Sequence, residues 1–192
     1  MKTIFFDIET TGLSSTTESI LEIAAVIVDN NYQILDTFQS FINPGKKIPF
    51  QITQITSITD DMVKHCKNEP TTLNEFRIWV TKHNPSLVGG HNIKRFDLRW
   101  MEEKYNKYKI TNPFSQVPIV DTLEYAKKLH AERVLNGYNA VTAKGNISFK
   151  LEHLVNYFGM GEQTHRAIDD VMQNVIVYKK LKELEETIDL GF

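Results

Sequence analysis

Thr3-Ile4-Phe5-Phe6-Asp7-Ile8-Glu9-Thr10-Thr11-Gly12, close to the start of the 192-residue chain, is the stretch whose reading decides the fold. Thr3–Ile8 is rich in β-branched and aromatic residues and predicts a strand. Thr11-Gly12-Leu13-Ser14-Ser15 after it has the composition of a turn. Strand side chains alternate faces, so Asp7 and Glu9 point to the same side. Two carboxylates about 4 Å apart repel by about 4 kcal/mol at an effective dielectric near 20. A cation, a shared proton or a basic partner must offset that repulsion, unless both acids lie at the solvated end of the strand.

Outward from this strand, Leu21–Val28 is a nearly continuous apolar run closed by Asp29-Asn30-Asn31, and Ile34–Ile42 alternates until Asn43-Pro44-Gly45. Short connections predict an antiparallel meander, because parallel neighbours need a crossover of a dozen or more residues. The texture then changes. Leu73, Phe76, Trp79 and Val80 have helical spacing within Thr72–His83, and Leu98, Met101 and Tyr105 have it within Phe96–Tyr105. Ser86–Gly89 and Val117–Val120 are short strands, and Asp121 is placed to cap a helix from Thr122 to about Ala131. Ser148–Phe158 and Ile168–Thr187 are the last helices, the latter with an inward stripe of Val171, Val175, Tyr178 and Leu181. Asp60-Asp61 opens a short helix by capping it. Asn136–Asn146, rich in Gly, Asn and Lys, is expected to be a flexible surface loop, and Phe5, Phe6, Trp79 and Trp100 are expected in the core. The fold class is α/β, one domain over residues 1–192, with a mixed sheet flanked by helices.

Composition narrows the function. With 41% hydrophobic and 24% charged residues the chain can bury a core. A net charge of −2 excludes a protein that grips nucleic acid by bulk positive field. The single cysteine, Cys66, allows no internal disulfide. No apolar run approaches the roughly 20 residues that span a bilayer, and Met1-Lys2-Thr3 does not begin a signal peptide. A cytoplasmic, nucleoid or nuclear location is the expectation, not secretion.

Two more acidic segments complete the pattern. In Gly89-Gly90-His91-Asn92-Ile93-Lys94-Arg95-Phe96-Asp97 a strand runs through a Gly pair into a helix start, placing Asp97 where α/β sheets gather ligands and where a helix dipole favours a carboxylate. In His165-Arg166-Ala167-Ile168-Asp169-Asp170 a histidine precedes the last helix. Successive helical residues lie about 100° apart, so only one of Asp169 and Asp170 can face a shared pocket. Taken in order, Asp7-Ile8-Glu9-Thr10-Thr11-Gly12, His91-Asn92…Phe96-Asp97 and His165-x-Ala-x-x-Asp170 resemble the three motifs of the DnaQ-like, or DEDDh, 3′→5′ exonucleases. That family includes polymerase proofreading subunits and RNA-trimming enzymes. Ser148–Leu154 is similar to the helix before its third motif. Three residues separate Asn92 from Phe96, where many members have two.

The resemblance implies a ribonuclease-H-like, five-stranded mixed sheet, three antiparallel strands followed by parallel ones. It implies a metal-dependent 3′→5′ exonuclease releasing nucleoside monophosphates, with DNA favoured at single-stranded or frayed ends. Asp7, Glu9, Asp97 and Asp170 would hold two divalent cations, Mg²⁺ or Mn²⁺, and His165 would take the proton of the attacking water. Substrate contacts are expected from Thr10, Gly12, a wedge at Leu13, and a floor at Asn92 and Phe96, with Lys94, Arg95, Lys144 and Lys150 available to phosphates. The implied partners are nucleic-acid 3′ ends and a polymerase, replication or repair protein. The alternatives are an exoribonuclease of the same family and a catalytically silent nucleic-acid-binding module.

Overall fold

The N-terminal apolar run forms β1, Thr3–Thr10, the central strand of a five-stranded sheet. The computed structural model describes residues 1–160 and 166–189. β2 (Ile20–Val28) pairs antiparallel with β1, and β3 (Ile34–Phe41) pairs antiparallel with β2. β4 (Leu87–Gly90) and β5 (Ile119–Asp121) add in parallel on the other side, giving the order β3-β2-β1-β4-β5. The crossovers contain helices, as parallel pairing requires. α1 (Phe50–Thr56), α2 (Asp60–Val63) and α3 (Glu69–His83) lie between β3 and β4, and α4 (Asp97–Tyr108) lies between β4 and β5.

Alternation along β1 divides the core into two faces. Ile4, Phe6 and Ile8 pack with Leu73, Phe76 and Val80 of α3 and with Trp100, Met101 and Tyr105 of α4. Phe5, Ala24, Val26 and Val28 pack on the opposite face against Ala167, Val171 and Val175 of α7 (Ala167–Asp189). α5 (Thr122–Ala131) and α6 (Leu151–Tyr157) join α7 in a further cluster through Ala126, Leu129, Leu154, Val155, Val177 and Leu181. Full burial of one such side chain is worth about 1.5–3 kcal/mol, so these clusters fix α7 against the face that Phe5, Asp7 and Glu9 share.

The expected elements hold, with shifted ends and one omission. α1 has no counterpart in the sequence reading, because Phe50 and Ile55 are exposed and leave no apolar stripe. α3 starts earlier than expected: the Asn68 side chain caps it by accepting from Thr71 N, and Pro70 fits its first turn. Thr59, not Asp60 or Asp61, caps α2, accepting from Met62 N. α6 begins at Leu151, three residues beyond the expected Ser148. Within Asn136–Asn146 the chain folds into part of a small hairpin, with Val141 bridged to Ile147 and Thr142 N donating to Asn146 O at 2.8 Å. Trp79 is only partly buried; its indole N–H donates to Asp36 at 3.1 Å.

The Gly89-Gly90 pair has a steric cause. A Cβ at Gly89 would stand 2.3 Å from the Phe5 ring, and one at Gly90 would stand 2.5 Å from Ile93 Cδ1. Side chains at either position would push β4 off β1 and the following loop off the strand end.

Candidate active site

The C-terminal end of β1 carries the first two acids. Asp7 faces the small residue Ala24 across the β1–β2 pair, which leaves room above it, while Glu9 faces Glu22. A register slip between Glu9 and Thr10 ends the regular ladder there. α7 brings the third acid over this face: Asp170 is 8% exposed, and its backbone N–H donates to Arg166 O at 3.0 Å. One carboxylate oxygen from each of Asp7, Glu9 and Asp170 lies within 4.8 Å of the others.

Asp97 reaches the same place by a different route. It is the first residue of α4 and is 2% exposed, and its Oδ1 accepts from Ile8 N, the amide between Asp7 and Glu9, at 3.1 Å. The structure thus sets Asp97 beside β1, tied to its backbone, while the tight three-oxygen cluster is formed by the other three acids. The loop that delivers Asp97 is fixed by Asp121. One oxygen of Asp121 accepts from Asn92 N at 2.9 Å and from Leu123 N at 3.0 Å, and the other accepts from Lys94 N at 3.2 Å. Asp121 therefore caps α5, as its position in the sequence predicts, and also clasps the loop ahead of Asp97.

The electrostatics follow from crowding. Burial pushes the Asp7 carboxyl well above its ordinary range, and the charges of Asp97, Glu9, Asp170 and Glu22 add to the effect. Burial, then Asp170, Glu22 and Asp97, raise Glu9 to about 8, with Arg166 pulling the other way. Burial likewise lifts Asp97 to about 7, against the lowering effect of its backbone hydrogen bonds. Such a group of acids is stable only with protons or cations among them. Carboxylate-only donors of this kind suit a hard divalent cation such as Mg²⁺, Mn²⁺ or Ca²⁺, so the residues present fit a metal.

Glu22 is the site residue that the sequence reading missed. It is fully buried, its Oε1 accepts from Gln39 Nε2 at 2.7 Å, and its Oε2 lies 3.5 Å from Arg166 Nε. The Arg166 guanidinium in turn stacks over Phe41 at 5.0 Å. The sequence carries only a partial signal, one acid that interrupts the apolar run of β2; its pairing with Glu9 comes from the register of the strands.

The remaining predicted residues divide. Thr10 is buried, and its hydroxyl donates to Gly12 O at 2.7 Å, shaping the turn that carries Leu13. Leu13 is 90% exposed. Asn92 sits in a left-handed conformation (φ 58°) with its backbone held by Asp121. Phe96 is partly buried against Trp100, with ring centres 6.0 Å apart. Lys94 is engaged by Glu124 at 2.6 Å. His165 lies outside the described residues.

Residues 4–178 match the RNase_T exonuclease family. The chain belongs to that family. Members of the RNase_T exonuclease family normally act with divalent metal ions. Among curated relatives, the chain is 32% identical over 188 residues to the PolC-type DNA polymerase III of Listeria innocua, and 32% identical over 192 residues to that of Pediococcus pentosaceus. It covers 97% and 100% of its own length in those matches but spans only 12% of each relative. Among solved structures, Escherichia coli exonuclease I bound to a dT13 oligonucleotide superposes with a TM-score of 0.83 at 21% identity, over 97% of this chain and 42% of that one. The same enzyme bound to dA16 gives 0.78 at 19% identity, over 95% and 41%. The five-stranded mixed sheet is thus the ribonuclease-H-like exonuclease fold.

Proposed function

We propose that the chain is a single exonuclease domain that hydrolyses nucleic acid from the 3′ end and releases nucleoside monophosphates, with DNA as its preferred substrate. The observation that carries this reading is the meeting of Asp7, Glu9 and Asp170 within 4.8 Å, with Asp97 hydrogen-bonded to the strand between the first two. DNA is favoured because the curated relatives are DNA polymerases and the matched exonuclease I structures hold dA16 and dT13.

Asp7, Glu9, Asp97 and Asp170 would hold two divalent cations, Mg²⁺ or Mn²⁺, which when bound offset the phosphate charge and favour ionisation of water beside it. The residues of the chain do the rest. Asp7, with an oxygen within 4.8 Å of oxygens of both Glu9 and Asp170, would be a ligand alongside them. His165, just ahead of α7 in the sequence, accepts the proton of the attacking water, so it must be neutral and the rate must rise through its pKa. Leu13, exposed on its turn, wedges at the terminal base. Thr10 and Gly12 shape that turn, and Asn92 and Phe96 form the floor. A partner in replication or repair fits this activity.

Digestion of 5′-labelled single-stranded DNA, duplex DNA and RNA, each with Mg²⁺, Mn²⁺ or EDTA, tests the proposal. The expected result is a ladder shortening from the 3′ end, fastest on single-stranded DNA and absent with EDTA or with Asp7→Ala. Shortening that persists in EDTA would sink the mechanism, and faster loss of RNA would reverse the substrate assignment.

A further inference from the structure

The helix that delivers Asp170 is held mainly by apolar contact. Val171, Val175, Val177 and Leu181 of α7 pack inward, and among its described residues only Asp170 and Asn174 are both polar and buried. Asn174 follows Asp170 by about one helical turn, on the same face. Apolar burial is non-directional. It presses α7 against the sheet without fixing the height or rotation at which a carboxylate meets two others.

Asn174 supplies the missing direction. It is 4% exposed, and Thr122, the first residue of α5, is fully buried. The Thr122 hydroxyl donates to Asn174 Oδ1 at 2.8 Å and lies 3.3 Å from Gly90 O, at the end of β4. His91 Nδ1 meets the same hydroxyl at 3.0 Å. One oxygen thus joins the end of β4, the loop after it, the start of α5 and the face of α7 that carries Asp170. Burial pushes the His91 imidazole down to about 4, so it stays neutral at neutral pH. A retreat of α7 from α5 by about 1 Å would take the Asn174 contact out of hydrogen-bond range. A buried amide and hydroxyl left without each other carry a desolvation cost, which disfavours that placement.

We infer that Thr122 and Asn174 are positioning residues for the acid cluster. The bond between them, backed by His91, sets α7 where an Asp170 oxygen comes within 4.8 Å of oxygens of Asp7 and Glu9. The inference rests on the reading of those acids as a metal centre, and both residues act through α7 rather than as ligands. Groups that orient metal ligands in this way change metal affinity by about 10–100-fold when they are removed.

The test is Mn²⁺ binding to the full chain at neutral pH, read by electron paramagnetic resonance of the free ion, beside urea unfolding of the metal-free proteins. Thr122→Val exchanges the hydroxyl for a methyl group and takes away the partner of Asn174. It should weaken Mn²⁺ binding by about 10–100-fold and lower the urea midpoint. Thr122→Val with Asn174→Leu removes both polar groups, so the midpoint should recover part of the way while Mn²⁺ binding stays weak. Thr122→Ser keeps the hydroxyl and should bind Mn²⁺ as the wild type does. Leu181→Ala opens a cavity farther along α7 and should lower the midpoint with Mn²⁺ binding unchanged. Wild-type affinity in the double variant overturns the inference. So does equal weakening by Leu181→Ala, because affinity would then follow stability alone. A wild type that binds no Mn²⁺ removes the metal-centre reading and the inference with it, whereas a wild type and variants that bind alike remove the inference only.

Discussion

At the residue scale, Glu9 shows what the site costs the protein. Its carboxyl is half-buried, faces Glu22 across the strands and is raised to about 8. A neutral isostere relieves that repulsion while removing an oxygen donor. Glu9→Gln is therefore expected to stabilise the metal-free protein at pH 8 by about 1–3 kcal/mol, from the conversion of pKa shift to free energy with a discount for solvent. It should also lower 3′-end cleavage by about 10³-fold, the loss typical of removing one charge-stabilising group. Urea unfolding in EDTA and a digestion time course read the two effects. A variant less stable than wild type at pH 8 would mean that the repulsion is not stored there. Asp7 and Glu9 were legible as a pair because a two-residue period needs only the local chain. Glu22 was not, because its importance appears only once β2 is paired in register with β1.

At the element scale, the connections that hold the site are polar and buried. Lys104 of α4 is fully buried. Its Nζ donates to Glu18 O and lies 3.5 Å from Glu69 Oε2, while Glu69 accepts from Ile20 N at 2.8 Å and from the Tyr108 hydroxyl at 2.6 Å. This network ties α3 and α4 to the turn between β1 and β2 that bears Leu13. Lys104→Met should cost about 3–5 kcal/mol, as breaking a buried ion pair does, and Lys104→Met with Glu69→Leu should cost less than the sum of the single changes. Urea midpoints of the four proteins check this, and additive losses would argue against the coupling. Asp121 is the second such device. Asp121→Ala removes a helix cap worth about 1 kcal/mol and also releases Asn92 N and Lys94 N. Amide exchange at those two residues should accelerate at least ten-fold while core amides of β1 change far less. Equal acceleration everywhere would make Asp121 a cap alone. The cap was readable from Asp121-Thr122, but the clasp was not, since its partners lie 29 and 27 residues away in the chain.

At the scale of the whole molecule, the raised acids make stability depend on pH in an unusual direction. Glu9 sits at about 8 in the folded protein against an ordinary 4.5, and Asp97 at about 7 against 3.8. Between those limits the folded state keeps protons that the unfolded chain has released, so stability is lost as pH rises through that window. The melting temperature in EDTA should therefore fall between pH 5.5 and 8.5. Added Mg²⁺, which replaces the protons, should raise it more at pH 8.5 than at pH 5.5. A metal-free melting temperature that climbs with pH would refute the crowding of the four acids. The described helices include none long and apolar enough to cross a membrane.

The sequence alone determined the strand order of the meander, the helical crossovers, the acids at Asp7, Glu9, Asp97 and Asp170, and the cap at Asp121. Each of these is written in a local period, a turn composition or a short motif. Only the tertiary structure decided that Glu22 stands behind Glu9, that Asp97 binds the Ile8 amide, that Lys104 is buried, and that Thr122 joins His91 to Asn174. Those are relations between residues far apart in the chain. They exist only after hydrophobic burial has brought β2, α4 and α7 against β1, and no periodicity within a segment encodes them.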